Sequence, residues 1–111
     1  MITRFNRCLG FRLLRVLRWQ VELWWCPAGE VIPTHVHSQF DGRLVFLGGS
    51  MRWAMDGRAR NLSWSDFGRS WRVPAGVRHG AEVTGWFGLF LNIEEWSGQP
   101  TSAAVDFISS P

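Results

Sequence analysis

The chain has 111 residues, 46% of them hydrophobic and 19% charged, with a formal net charge of +3 at pH 7. That is enough apolar material for one self-sufficient core, and it excludes global disorder. No apolar run reaches the roughly 18 residues of a membrane span, and arginines at 12, 15 and 18 interrupt any signal-peptide core, so a soluble protein is expected.

All twelve basic residues are arginine, and they are unevenly placed. Arg4, Arg7, Arg12, Arg15 and Arg18 all precede the first acid, Glu22; from residue 20 onward seven arginines face nine acids. Residues 1–19 therefore read as a basic N-terminal arm or first element on a nearly neutral body. On a helical wheel Arg4, Arg7, Arg15 and Arg18 share one face and Phe5, Leu9, Leu13, Val16 and Leu17 the other. Gly10 weakens such a helix, and extended structure from Phe11 onward is equally defensible. From Trp19 the period is two: Trp19, Val21, Leu23 and Trp25 on one side, Gln20 and Glu22 on the other, a half-buried strand ended by a turn at Cys26-Pro27-Ala28-Gly29. Cys8 and Cys26 form no C-x-x-C pair and are expected to be two reduced cysteines of a cytoplasmic chain.

Short strand-like runs follow at 31–36, 43–47 and 51–55, the last leading into an Asp56-Gly57 hairpin turn. Further runs at 61–64, 71–73, 77–83 and 86–93 are separated by breaks at 66–68 and Pro74-Ala75-Gly76. Many short strands with regular turns mean an all-β sandwich or barrel, here over residues 20–96. Residues 97–111 read as a small, polar C-terminal tail in which Val105, Phe107 and Ile108 are the apolar exceptions.

Two of the three histidines are His35 and His37. On a strand, residues two apart point to the same face with Cα atoms about 7 Å apart, so their rings can converge on one ion at about 2.0–2.1 Å per nitrogen. The third, His79, follows a turn that can return the chain beside the first pair. An H-x-H pair alone is weak; the surrounding spacing is more specific. Gly29, five residues, His35-Val36-His37, three residues, Asp41, six residues and Gly48 resemble the first cupin motif. Gly68, five residues, Pro74-Ala75-Gly76, two residues and His79 resemble the second. The resemblance implies a double-stranded β-helix (jelly-roll) barrel whose metal ligands are His35, His37 and His79 with an acidic residue at Asp41. The family more often has Glu at the acidic position, and Asn where Val83 stands here. Because aspartate is shorter, Gln39, two residues beyond His37, is the alternative fourth ligand.

Imidazole ligands with open positions suit one divalent transition metal: Fe, Mn, Ni, Cu or Zn. The fold does not name an activity. One reading is a metal-dependent dioxygenase or isomerase acting on a small molecule, with Arg43, Trp53, Trp71, Arg72, Phe90 and Asn92 as candidate pocket residues. The other is a non-catalytic cupin serving as a structural component of a larger assembly, for example a virus particle, held by its arginine arm; tryptophan is enriched at interfaces as well as in cores. Expected partners are other protein subunits and a small-molecule ligand. Nucleic acid ranks last, because no binding motif accompanies the arginines and the body of the chain is slightly acidic.

Overall fold

The computed structural model describes residues 2–101; the apolar trio of the expected tail lies outside them. Eight strands follow in order: β1 (Ile2–Phe5), β2 (Cys8–Val16), β3 (Trp19–Pro27), β4 (Val31–His35), β5 (Phe40–Met55), β6 (Arg58–Leu62), β7 (Ser70–Val73) and β8 (His79–Trp96), with one 3-10 turn at Trp64–Asp66. All pairings are antiparallel. The Asp56-Gly57 turn closes β5 onto β6 with φ of 52° and 77°, the paired positive values a two-residue hairpin requires.

The 43–47 and 51–55 runs belong to one long strand, β5, and the 77–83 and 86–93 runs lie largely in another, β8. Register shifts at Phe46/Gly48 and Gly49/Met51 bend β5 so that it serves two sheets. Its first half joins β1, β2, β3, the second half of β8, and β7; its second half joins β6 and the first half of β8, which also carries β4. The result is a jelly-roll barrel. Its core holds Trp24, Cys26, Leu44, Phe46, Met51, Trp53, Leu62, Val73, Val83 and Phe90.

Of the two alternatives at the N-terminus, the extended one is formed: β1 and β2 make a hairpin, and β2 pairs along β3 with a bulge between Arg12 and Leu14. Three of its arginines turn back onto the chain: Arg7 to Glu30 at 2.6 Å, Arg15 to Gln20 at 2.6 Å and Arg18 to Glu95 at 4.0 Å. On β3 the structure departs from expectation. Gln20, Glu22, Trp24 and Cys26 face inward and are buried, while Trp19, Val21, Leu23 and Trp25 face outward. Period two was right; the side assigned to the core was not.

Gly49 sits at the bend with φ 81°, and a Cβ there would collide with the Phe87 carbonyl oxygen of β8. Gly49→Ala combines a left-handed backbone with a backbone clash, so we expect a loss of about 2–4 kcal/mol, read as a lower midpoint in urea unfolding.

Candidate metal centre

β4 ends at His35, which pairs directly with His79, the first residue of β8, so both imidazoles leave the same sheet side by side. His37 lies two residues further on, and the three rings have centroids 4.2, 4.7 and 4.9 Å apart. One ligand atom from each lies within 4.8 Å of the others, and the His35 and His37 Nε2 atoms are 3.1 Å apart, the spacing of two nitrogens on one ion. Among the described residues this is the cluster of metal-ligating side chains.

The partners of the remaining ring nitrogens fit the same use. His35 Nδ1 lies 2.6 Å from the Pro33 carbonyl oxygen and His79 Nδ1 3.0 Å from that of Val77. A carbonyl only accepts, so each Nδ1 carries the proton and each Nε2 keeps a lone pair toward the cluster. Burial, opposed by the Pro33 bond, lowers the His35 pKa. Burial and then the neighbouring histidines take His37 down to about 3, and burial takes His79 down to about 4. All three rings are neutral at pH 7, the form a metal requires.

Neither fourth-ligand candidate joins the rings. Phe40 and Gly42 of β5 face the barrel interior, so Asp41 between them faces outward. Its carboxylate accepts a bond from the Ala75 N–H at 2.7 Å and lies 3.9 Å from Arg72. The Gly76 N–H donates to the His37 carbonyl at 2.7 Å, so the turn before His79 is tied both to Asp41 and to the His37 loop. Gln39 is used locally, its amide oxygen accepting from the Ser38 N–H at 3.1 Å. On the cavity side, Phe40 stacks on His37 at 4.4 Å and packs at a tilt against Trp96 at 4.9 Å.

The rings line a cavity of about 60 Å³, room for a few waters or a small molecule. Its other walls are mostly apolar, including Trp24, Leu44 and Phe90. Of the expected pocket residues, Trp53, Phe90 and Asn92 are there. Arg43 and Arg72 are not: they stand on the outer side, Arg43 bonded to Ser70, and Trp71 packs against the core with Arg60 over its ring.

Behind Asn92 lies a buried polar group that had no place in the sequence expectations. Glu94 accepts bonds from Gln20 Nε2 (3.0 Å), Trp96 Nε1 (3.0 Å) and Asn92 Nδ2 (3.1 Å). Burial first, and then Glu22, push its carboxyl up to about 10, so Glu94 is protonated at neutral pH beside Glu22. Its hold on Asn92 Nδ2 turns Asn92 Oδ1 toward Gly42, 3.5 Å from where a Cβ would stand. The one trace in sequence was polar residues at period two in β3 and β8, which reads equally well as a solvated face. Cys8 and Cys26, distant in sequence, are buried neighbours across β2 and β3, and Cys8 lines the cavity.

No family model matches the chain, and no curated protein matches it in sequence. Solved structures do. An RmlC-like cupin from Shewanella frigidimarina superposes with a TM-score of 0.78 at 20% identity, over 97% of this chain and 88% of that one. KdgF from Halomonas sp. gives 0.76 at 17% identity, over 86% and 84%. This chain has the cupin fold. The DMSP lyase DddQ from Ruegeria pomeroyi shares the fold, with a TM-score of 0.75 at 17% identity, over 95% of this chain and 55% of that one. At these identities the likeness carries the cupin architecture, while the metal site rests on the three histidines themselves. No helix among the described residues is long and apolar enough to cross a membrane.

Two outcomes follow for this cupin site. His79→Ala should weaken zinc or manganese binding at least about a hundredfold with the barrel intact, read by elemental analysis after dialysis and by circular dichroism. Metal-free protein should lose stability as pH falls from about 6.5 toward 4. The folded rings of His37 and His79 titrate below the unfolded value of 6.5, and the two protons they take up on unfolding outweigh the one that Glu94 holds in the folded chain, so the unfolded chain binds more protons over most of that window. The loss should be on the order of a few kcal/mol, and His79→Gln should flatten the slope.

Proposed function

We propose that this protein is a metal-dependent enzyme in which His35, His37 and His79 hold one divalent transition metal and a small substrate enters the cavity beside them. The observation that carries the reading is the tautomer pattern: backbone carbonyls hold the Nδ1 protons of the half-buried His35 and the buried His79 and leave their Nε2 lone pairs facing a third histidine. A structural role would need no cavity at the site, and one is present.

An all-imidazole set contributes no negative charge, so the bound ion would act at nearly full charge as a Lewis acid on a substrate oxygen or water. That favours isomerase or lyase chemistry over the oxygenase type built on two histidines and a carboxylate. The chain's own residues do the rest. Apolar walls exclude water and fit a compact apolar body; Asn92 Oδ1 offers an acceptor to a substrate hydroxyl or amine, held in place by protonated Glu94. No lysine or arginine lines the cavity, so a substrate anion would rely on the metal site for its countercharge.

The reading of a non-catalytic assembly component, such as part of a virus particle, is favoured by one observation: Trp64, Phe67 and Trp86 are strongly exposed around one surface depression. The readings separate by titration calorimetry. Protein loaded with zinc, manganese or iron(II) should bind small hydroxy- or oxo-carboxylates with a dissociation constant below about 1 mM, and His79→Ala should not. Metal-loaded protein that binds none of them would leave the enzyme reading without support.

A further inference from the structure

Cys8 and Cys26 stand directly opposite each other on neighbouring strands. Leu9 pairs with Trp25 and Gly10 with Trp24, and one step further along the same ladder Cys8 meets Cys26. Both are free thiols that point into the barrel, 1% and 0% exposed. Opposed residues of an antiparallel pair have Cα atoms about 4.5 or 5.5 Å apart, and both values fall within the roughly 4.4–6.8 Å that a disulfide spans. The two thiols already share a hydrogen bond. That bond first, and burial second, push the Cys26 thiol up, so Cys26 keeps its proton at neutral pH. What separates the two is access. Cys8 lines the cavity of the three histidines, whose volume of about 60 Å³ admits a molecule as small as hydrogen peroxide, while Cys26 lies in the packed core and lines no part of it. A cysteine sealed in a core is inert, and the cavity takes Cys8 out of that class.

We propose that Cys8 and Cys26 form a modification site, in which a hydroperoxide entering the cavity joins them in a disulfide that fastens one cavity wall to β3. The wall is the β1–β2 hairpin. It forms the end of its sheet, attached by the β2–β3 ladder, and Phe5 of β1 lines the same cavity. Phe5 pairs with Cys8, so the crosslink sits at the end of the ladder that carries this ring. With hydrogen peroxide, the Cys8 sulfur attacks one oxygen and gives up its proton. An S–O bond forms, the O–O bond breaks, and the other oxygen takes the proton and leaves as water. The Cys26 sulfur then attacks the Cys8 sulfur. The S–S bond forms, the S–O bond breaks, and the hydroxyl leaves with the Cys26 proton as a second water. Each sulfur gives up one electron, and one peroxide is reduced. No carboxylate lines the cavity to oppose the negative charge that develops on the Cys8 sulfur.

The test treats the reduced full chain with hydrogen peroxide, zinc being present and redox-active metals excluded, so the outcome does not depend on the enzyme reading. Intact mass spectrometry should show the loss of two hydrogens, peptide mapping should show Cys8 joined to Cys26, and dithiothreitol should restore both thiols. Amide hydrogen exchange across β1 and β2 should slow at least about tenfold on oxidation. Cys26→Ala should leave Cys8 to gain oxygen instead of a crosslink. Cys8→Ala should slow the oxidation of Cys26 at least about tenfold, since its sulfur meets no cavity. The wild-type readings stand by themselves should either variant misfold. A wild-type chain that keeps both thiols, or gains oxygen without the crosslink, would overturn the proposal, as would hairpin exchange that oxidation leaves unchanged.

Discussion

Strands β5 and β8 pair antiparallel over fourteen positions, from Phe40 opposite Trp96 to Met55 opposite His79, and this ladder serves both sheets of the barrel. The remaining strands are attached along it: β3 and β7 at one half, β4 and β6 at the other. Because one backbone runs through both sheets, the position of His35 and His79 relative to the opposite wall is set by hydrogen-bond register, while His37 lies on the loop after β4, tied by its carbonyl to the Gly76 N–H. The bends that allow this depend on Gly49, whose conformation and closeness to the Phe87 carbonyl leave no room for a side chain. Two of the three ligands are thus placed by paired strands, which favours precise coordination.

The same ladder explains the unusual distribution of polarity. Inside the barrel, one end carries three histidines, Asn92, Glu94, Glu22 and Gln20. Each such group is costly to bury unless bonded or neutral, and both devices are present: Glu94 accepts three bonds and keeps its proton, and the imidazoles are uncharged. The apolar residues of β3 and β8 that alternate with this polar set necessarily point outward. A polar interior at one end of a barrel and an apolar exterior behind it are one constraint seen from two sides.

The arginine-rich beginning of the chain is ordinary barrel structure in chemical terms. Arg7 closes on Glu30 and the Ala28 carbonyl, and Arg15 on the Gln20 amide that in turn supports Glu94. Its charge asymmetry in sequence arises because the acids that meet it, Glu30 and Glu95, come much later in the chain.

The sequence by itself determined the jelly-roll class and the three histidines. Turn residues at close intervals and period-two runs are local properties, and the two glycine-flanked histidine motifs place their ligands at the ends of predictable strands. It also showed that β3 alternates, but alternation fixes only that neighbours face opposite ways; which side is the interior depends on pairing with β8, some seventy residues away. The outward turn of Asp41 was hidden for the same reason: its face follows from Phe40 and Gly42 pointing inward in a strand whose register is set by β8. The meeting of Gln20 with Glu94, and of Cys8 with Cys26, likewise exists only across a sheet. Tertiary structure alone decided these, because a one-residue change of register inverts every side chain, and register is a long-range property.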